Sequence, residues 1–153
     1  MVDILHRVGM KSSVDQVYTA LATRAGLAAW WTEDTQGESK VGGVLQFRFN
    51  VGGVDVGGFD MKVLALDPGK RVLWQVLEGV IDKEWVGTKI SFDLKQEGDY
   101  CIVLFKHGGW RASVESMHHC STKWAIFLMS LKSLVETGQG APSPNDVKID
   151  NWN

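Results

Sequence analysis

The sequence predicts an α+β domain: one antiparallel sheet, with helices set apart from it in the chain rather than alternating with its strands. Three observations predict it. A short amphipathic helical pattern lies near the N-terminus, in "VDQVYTALAT". Between residues 40 and 107 the apolar period is two. From about residue 116 to 137 it returns to that of a helix. Strands that follow one another without intervening helices make a meander, not a parallel βαβ sheet.

Each element follows from local chemistry. Residues 3 to 9 read as a first strand, with Ile4 and Leu5 beside polar neighbours. Ser13 followed by Gln16 fits a capping box, and Val14, Val17, Tyr18 and Leu21 recur at i, i+3, i+4 and i+7. Gly26 reads as the stop of that helix, and "LAAWW" as a further short helical turn. In "VLQFRFNV", Leu45, Phe47, Phe49 and Val51 alternate with polar residues, as in a half-buried strand. Phe59, Met61 and Val63 continue this inward face, and Pro68 with Gly69 supplies a turn. Val72, Trp74 and Val76 face inward on the next strand, and Ile90, Phe92 and Leu94 on the one after. The strand "YCIVLFKH" is apolar on both faces. Lys106 facing solvent would put Cys101, Val103, Phe105 and His107 inward, and a slip of one residue would reverse this. Trp124, Phe127, Leu128, Leu131, Leu134 and Val135 form a stripe on the last helix, which Gly138 ends. Residues 1–138 are thus expected to form the domain, and the polar residues 139–153, with Pro142 and Pro144, a loosely packed, flexible tail.

Composition narrows the function. At 153 residues the chain suits one domain, and a net charge of -2 without any block of like charge argues against nucleic acid or an anionic membrane as partner. No apolar run approaches the ~18 residues of a membrane span, and "MVDILHRVGM" is too charged for a signal peptide. Two cysteines without paired spacing indicate no disulfide framework, so a reduced, cytoplasmic domain is expected. Seven tryptophans are many for this length and point to dense aromatic packing or an aromatic-lined site. The three "VGG" stretches, at 41–43, 51–53 and 56–58, have no fixed period and read as hairpin chemistry, not as a dinucleotide fingerprint.

Five stretches, "VDQVYTAL…GLAAWW", "KVGGVLQFRF", "VLALDPGKRVLWQV", "FKHGGW" and the Trp124 helix, occur in an order that resembles the START-like, or helix-grip, superfamily. Within it the chain is similar to the family named for the activator of the heat-shock-protein-90 ATPase. The resemblance runs from about residue 3 to residue 137. It implies a curved antiparallel sheet wrapped around the long C-terminal helix, with a cavity between them. It implies less about function, because this fold hosts ligand binders, co-chaperones and aromatase/cyclase-type enzymes alike.

With that fold, the adjacent Trp30 and Trp31 have two readings. Both seal the core, or one enters the cavity while the other packs beneath a helix. The inward aromatic and aliphatic residues above (Phe47, Phe49, Phe59, Met61, Trp74, Phe92 and Phe105) and Trp124, Phe127, Leu128 and Leu131 of the last helix are candidate ligand contacts. They could equally fill the space. His107 near Trp110, and the Tyr18 hydroxyl, are candidate polar contacts to a ligand carbonyl or hydroxyl, against the alternative of a histidine satisfied within the protein. "MHHC" at 117–120 lacks the spacing that would place two ligands on one helix face, so no metal site is expected. No nucleophile with its base and no inward pair of carboxylates is visible, though Glu78, Asp82 and Glu84 could line a mouth. The expectation is a binding domain without cofactor, holding a small hydrophobic or amphipathic molecule such as a lipid, sterol, flavonoid or polyketide-like compound. The alternatives are a chaperone-associated module using the outward Leu73 and Leu77, and a cyclase-like enzyme.

Overall fold

The computed structural model describes residues 1–79 and 81–153. Its sheet has seven antiparallel strands in the order β1-β7-β6-β5-β4-β3-β2, in which only β1 departs from the sequential meander by pairing with the last strand. The strands are β1 (Val2–Lys11), β2 (Asp34–Gly37), β3 (Val44–Val51), β4 (Val54–Asp67), β5 (Arg71–Gly79), β6 (Lys89–Glu97) and β7 (Tyr100–Trp110). The helices are α1 (Val14–Ala22), α2 (Arg24–Trp30) and α3 (Glu115–Thr137). Register shifts interrupt β3/β4 once and β4/β5 twice, and such bulges bend and twist strands. The sheet therefore curves around α3, which is the helix-grip arrangement expected from the sequence.

The inward parity holds along the meander. Leu45, Phe47, Met61, Val63, Val72, Trp74, Ile90 and Phe92 are fully or almost fully buried in one cluster. On β7, Cys101, Val103, Phe105 and His107 all point into it, while Leu104 and Lys106 are exposed.

Two expectations are corrected, and one strand is added to those expected. Gly26 does not end α1; that helix stops at Ala22, and Gly26 lies inside α2. Its reason is space, since a Cβ there would sit 2.6 Å from the Ala20 Cα and carbonyl oxygen where α1 and α2 meet. The short β2, polar throughout, is stabilised by pairing with β3 and carries no periodic signal. The last fifteen residues are not loosely packed. Ser143 and Asp146 are buried, the Ser143 N–H donates to the Trp31 carbonyl at 2.8 Å, and Lys123 of α3 forms an ion pair with Asp146. Burial alone would raise the Asp146 pKa, but the hydrogen bond and charge of Lys123, with help from Lys148, bring it below the usual carboxylate range. Polar composition misled because these polar groups find their partners on α3.

Candidate functional site: an aromatic cavity between sheet and helix

A cavity of about 400 Å³ opens between β3, β4, the segment before β6 and the first half of α3. This size lies in the range of small-molecule sites. Its sheet side is formed by Phe49 and Val51 of β3 with Val56 and Phe59 of β4. Trp31 forms part of its base. Its helix side is Ser116, His119, Cys120, Lys123, Trp124 and Phe127, which recur at three- and four-residue spacing and so share one face of α3. Ile81, Asp82 and Trp85 close one flank, and Trp152 with Asn153 of the tail the other. Val56, Ile81 and Trp152 are well exposed, so they mark the rim.

The two adjacent tryptophans divide their work. Trp30 is core: its indole N–H donates to the Ala20 carbonyl at 2.9 Å, tying α2 to α1. Trp31, just past the end of α2, stacks on Trp30 with centroids 6.0 Å apart and reaches Phe47, Trp74 and Trp124 on its other sides. It carries the aromatic core out to the cavity. Trp85 lies flat on Phe59 at 3.8 Å, and its N–H donates to the Cys120 sulfur at 3.3 Å. Burial pushes the Cys120 thiol up to about 12, with the nearby Asp82 adding to the shift against the opposing Trp85 bond. It is therefore a neutral wall group.

Of the residues singled out from sequence, Trp31, Phe49, Phe59, Trp124 and Phe127 reach the cavity. Trp30, Phe47, Met61, Trp74, Phe92 and Phe105 sit beneath it in the core, as do Leu128 and Leu131 of α3 and Trp110 of β7. Tyr18 is partly buried on α1, on the side of Asp67 at the β4–β5 turn, and takes no part in the wall. His107 is placed inward as expected, but below the cavity. Its Nδ1 accepts from the Trp124 indole N–H at 3.1 Å, which leaves the proton on Nε2 to be donated to Thr88 Oγ1 at 2.8 Å; Thr88 in turn donates to the Trp85 carbonyl. Desolvation lowers its pKa to about 3, so the ring is neutral. It does not line the cavity; its hydrogen bonds run to Trp124 and, through Thr88, to the Trp85 carbonyl.

Pattern reading missed Trp85, Lys123, Trp152 and Asn153 as wall residues. Trp85 belongs to a single 3-10 turn, Lys83–Trp85, and Trp152 to the tail, so neither stands in a periodic segment. Asp82 was named as a mouth residue and does line the cavity. The two histidines of "MHHC" go separate ways. His118 Nδ1 bonds to the Val114 carbonyl and His119 Nδ1 to Asp150 at 2.7 Å. Among the described residues no three metal-ligating side chains come together, and no helix is long and apolar enough to cross a membrane.

A family model described as "Activator of Hsp90 ATPase homolog 1-like protein" matches residues 11–136. Among solved structures, the chain is similar to the Aha1 dimer from Colwellia psychrerythraea, with 46% identity over 92% of this chain and 100% of that one, and a TM-score of 0.80. CalU16 from Micromonospora echinospora matches at 19% identity over 93% and 77% of the two chains, with a TM-score of 0.69. MLL2253 from Mesorhizobium loti matches at 16% identity over 87% and 96%, with a TM-score of 0.74. The latter two share the fold. Comparison with curated proteins found no match. A family match over most of the folded region, on a sheet curved around one long helix, means that the chain belongs to the Activator of Hsp90 ATPase homolog 1-like family of the START-like superfamily.

Proposed function

We propose that the protein binds a small hydrophobic or amphipathic molecule in the cavity between the sheet and α3. The observation that carries this reading is the cavity itself: about 400 Å³, walled by Trp31, Phe49, Phe59, Trp85, Trp124 and Phe127, with an exposed rim. Flat aromatic walls of this kind gain affinity by removing apolar ligand surface from water. Binding without turnover is favoured by the state of the nearby groups. Cys120 is held as a thiol and His107 as a neutral ring with both nitrogens engaged, so neither is poised as nucleophile or base. Native mass spectrometry of protein purified from its own host, followed by tryptophan-fluorescence titration with flavonoids, sterols and fatty acids, tests it. A co-purified mass or saturable quenching is expected; a ligand-free mass and no response across all three classes would overturn the reading.

A second reading is association with a heat-shock-protein-90 homologue, favoured by the family description and by one surface. Leu5 of β1 and Leu104 of β7 are 67% and 41% exposed on the outer face, on strands paired so that Arg7 lies opposite Leu104. Of the leucines proposed from sequence, Leu77 is exposed and Leu73 partly covered. Calorimetric binding to the chaperone that Leu5→Glu abolishes would establish this surface.

A further inference from the structure

Two side-chain atoms on the cavity wall are buried without a hydrogen-bond partner among the described residues: Asp82 Oδ2 and Asn153 Oδ1. Both are oxygen acceptors. A buried acceptor left unpaired is costly, and a carboxylate oxygen more so than an amide. The other Asp82 oxygen is occupied, accepting from the Glu84 N–H at 2.9 Å, so the carboxylate is held in place by the turn it caps. Among the described residues no basic side chain of the wall answers it. Lys123 is committed to Asp146 and to the Val147 carbonyl, at 2.9 Å from the latter, and His119 Nδ1 to Asp150. Two indole donors of the wall are also used: the Trp85 N–H bonds to Cys120 and the Trp124 N–H to His107.

The cavity that Asp82 lines is rich in aromatic side chains, among them Phe49, Phe59, Trp85, Trp124, Phe127 and Trp152. Trp85 and Trp124 are stacked 5.9 Å apart between centroids, and Trp85 is in turn stacked on Phe59. An aromatic-lined cavity with an unpaired carboxylate on its wall suits a cation that is also apolar, because the lining favours flat apolar surface and the carboxylate accepts a hydrogen bond from the charged group. A carboxylic acid ligand, such as a fatty acid, would set two like charges together in a poorly solvated space.

Resting on the cavity-binding reading above, we propose that the ligand is a planar hydrophobic molecule bearing a protonated amine, whose N–H donates to Asp82 Oδ2 while its ring system occupies the cavity that Phe49, Val56 and Trp152 border. Asn153 Oδ1 offers a second acceptor to the same head group.

Three probes that share a ring system and differ in head group test this: 2-naphthylmethylamine, 2-naphthalenemethanol and 2-naphthoate. Calorimetric titration of the full chain near pH 7 is expected to give the order amine, alcohol, carboxylate, with the amine at least about tenfold tighter than the carboxylate. Asp82→Asn keeps an oxygen to cap the Glu84 N–H, so the turn is preserved. It is expected to weaken the amine by about tenfold and to leave the alcohol within about twofold. Equal affinity for all three probes, or an amine affinity unchanged in Asp82→Asn, would overturn the amine proposal while the cavity reading stands. If none of the three binds, the amine proposal is overturned, and the flavonoid, sterol and fatty-acid titrations decide the cavity reading separately.

Discussion

His107 is fully buried yet keeps both ring nitrogens bonded, which a neutral imidazole can do only in one tautomer. Deleting it by His107→Ala strands the Trp124 N–H, leaves Thr88 one bond short and opens a void beside Trp85 and Trp110. The expected loss is about 3 kcal/mol in urea-unfolding stability. The pH dependence has a definite sign. The folded pKa, lowered to about 3, lies below the ordinary value of 6.5, so the unfolded chain binds the extra proton. The contribution of His107 is complete above pH 6.5 and is lost as pH falls toward 3, with a slope approaching about 1 kcal/mol per pH unit. Comparing unfolding midpoints of the native protein and His107→Gln across this window isolates the contribution; the variant should show the shallower slope.

At the scale of elements, α1 and α2 are held together by a glycine and a tryptophan. Gly26 permits the close approach, and the Trp30 N–H bonds to the same Ala20 carbonyl that a new Cβ would strike. Gly26→Ala favours helix locally but must force the two helices apart, and the expected net effect is a loss of about 1–3 kcal/mol in thermal or denaturant unfolding. The tail is fixed to α3 by another pair. Lys123 is 8% exposed and Asp146 5%, so Lys123→Met removes the main partner of a buried carboxylate. Lys148 still reaches Asp146 at 3.1 Å, which limits the cost to about 2–3 kcal/mol. Limited proteolysis is expected to cleave the tail of Lys123→Met sooner than that of the native chain. The double change with Asp146→Leu should recover part of the stability, since no unpaired charge remains buried.

For the whole molecule, the tail and the cavity form one structure. Trp152 packs against His119 at 5.4 Å between ring centroids, His119 bonds to Asp150, and Trp152 thereby stands on the cavity rim while remaining 49% exposed. Half exposed, it is expected to add little to stability and, on the cavity-binding proposal, more to a bound molecule. Trp152→Ala is expected to shift unfolding by less than about 0.5 kcal/mol. The same change should weaken a naphthyl probe several-fold, by about 1 kcal/mol. Fluorescence titration alongside thermal unfolding of the variant checks both halves of this expectation.

The sequence alone determined the fold class, the inward parity of β3 to β6, the span of α3 and the family, while the structure decided between the two parities open for β7. These depend on period, capping and turn chemistry, which are local, and on motifs whose order survives in the chain. Gly138 in the left-handed region at φ 90° ends α3 where its residue type said it would. The cavity was legible only in part. Phe49, Phe59, Trp124 and Phe127 lie on periodic inward faces, but so do Phe47, Trp74 and Phe105, and nothing local separates a wall from the core beneath it. Register shifts fall beside the wall residues Phe49 and Phe59, between Phe49 and Asn50 and between Asp60 and Met61, and such a shift is set by the pairing of whole strands. Trp85 and Trp152 reach the site from a single turn and from a tail that reads as solvent-facing. Only tertiary structure brought them there, because their placement depends on partners thirty or more residues away: Cys120 for Trp85, and for the tail Asp150 with His119.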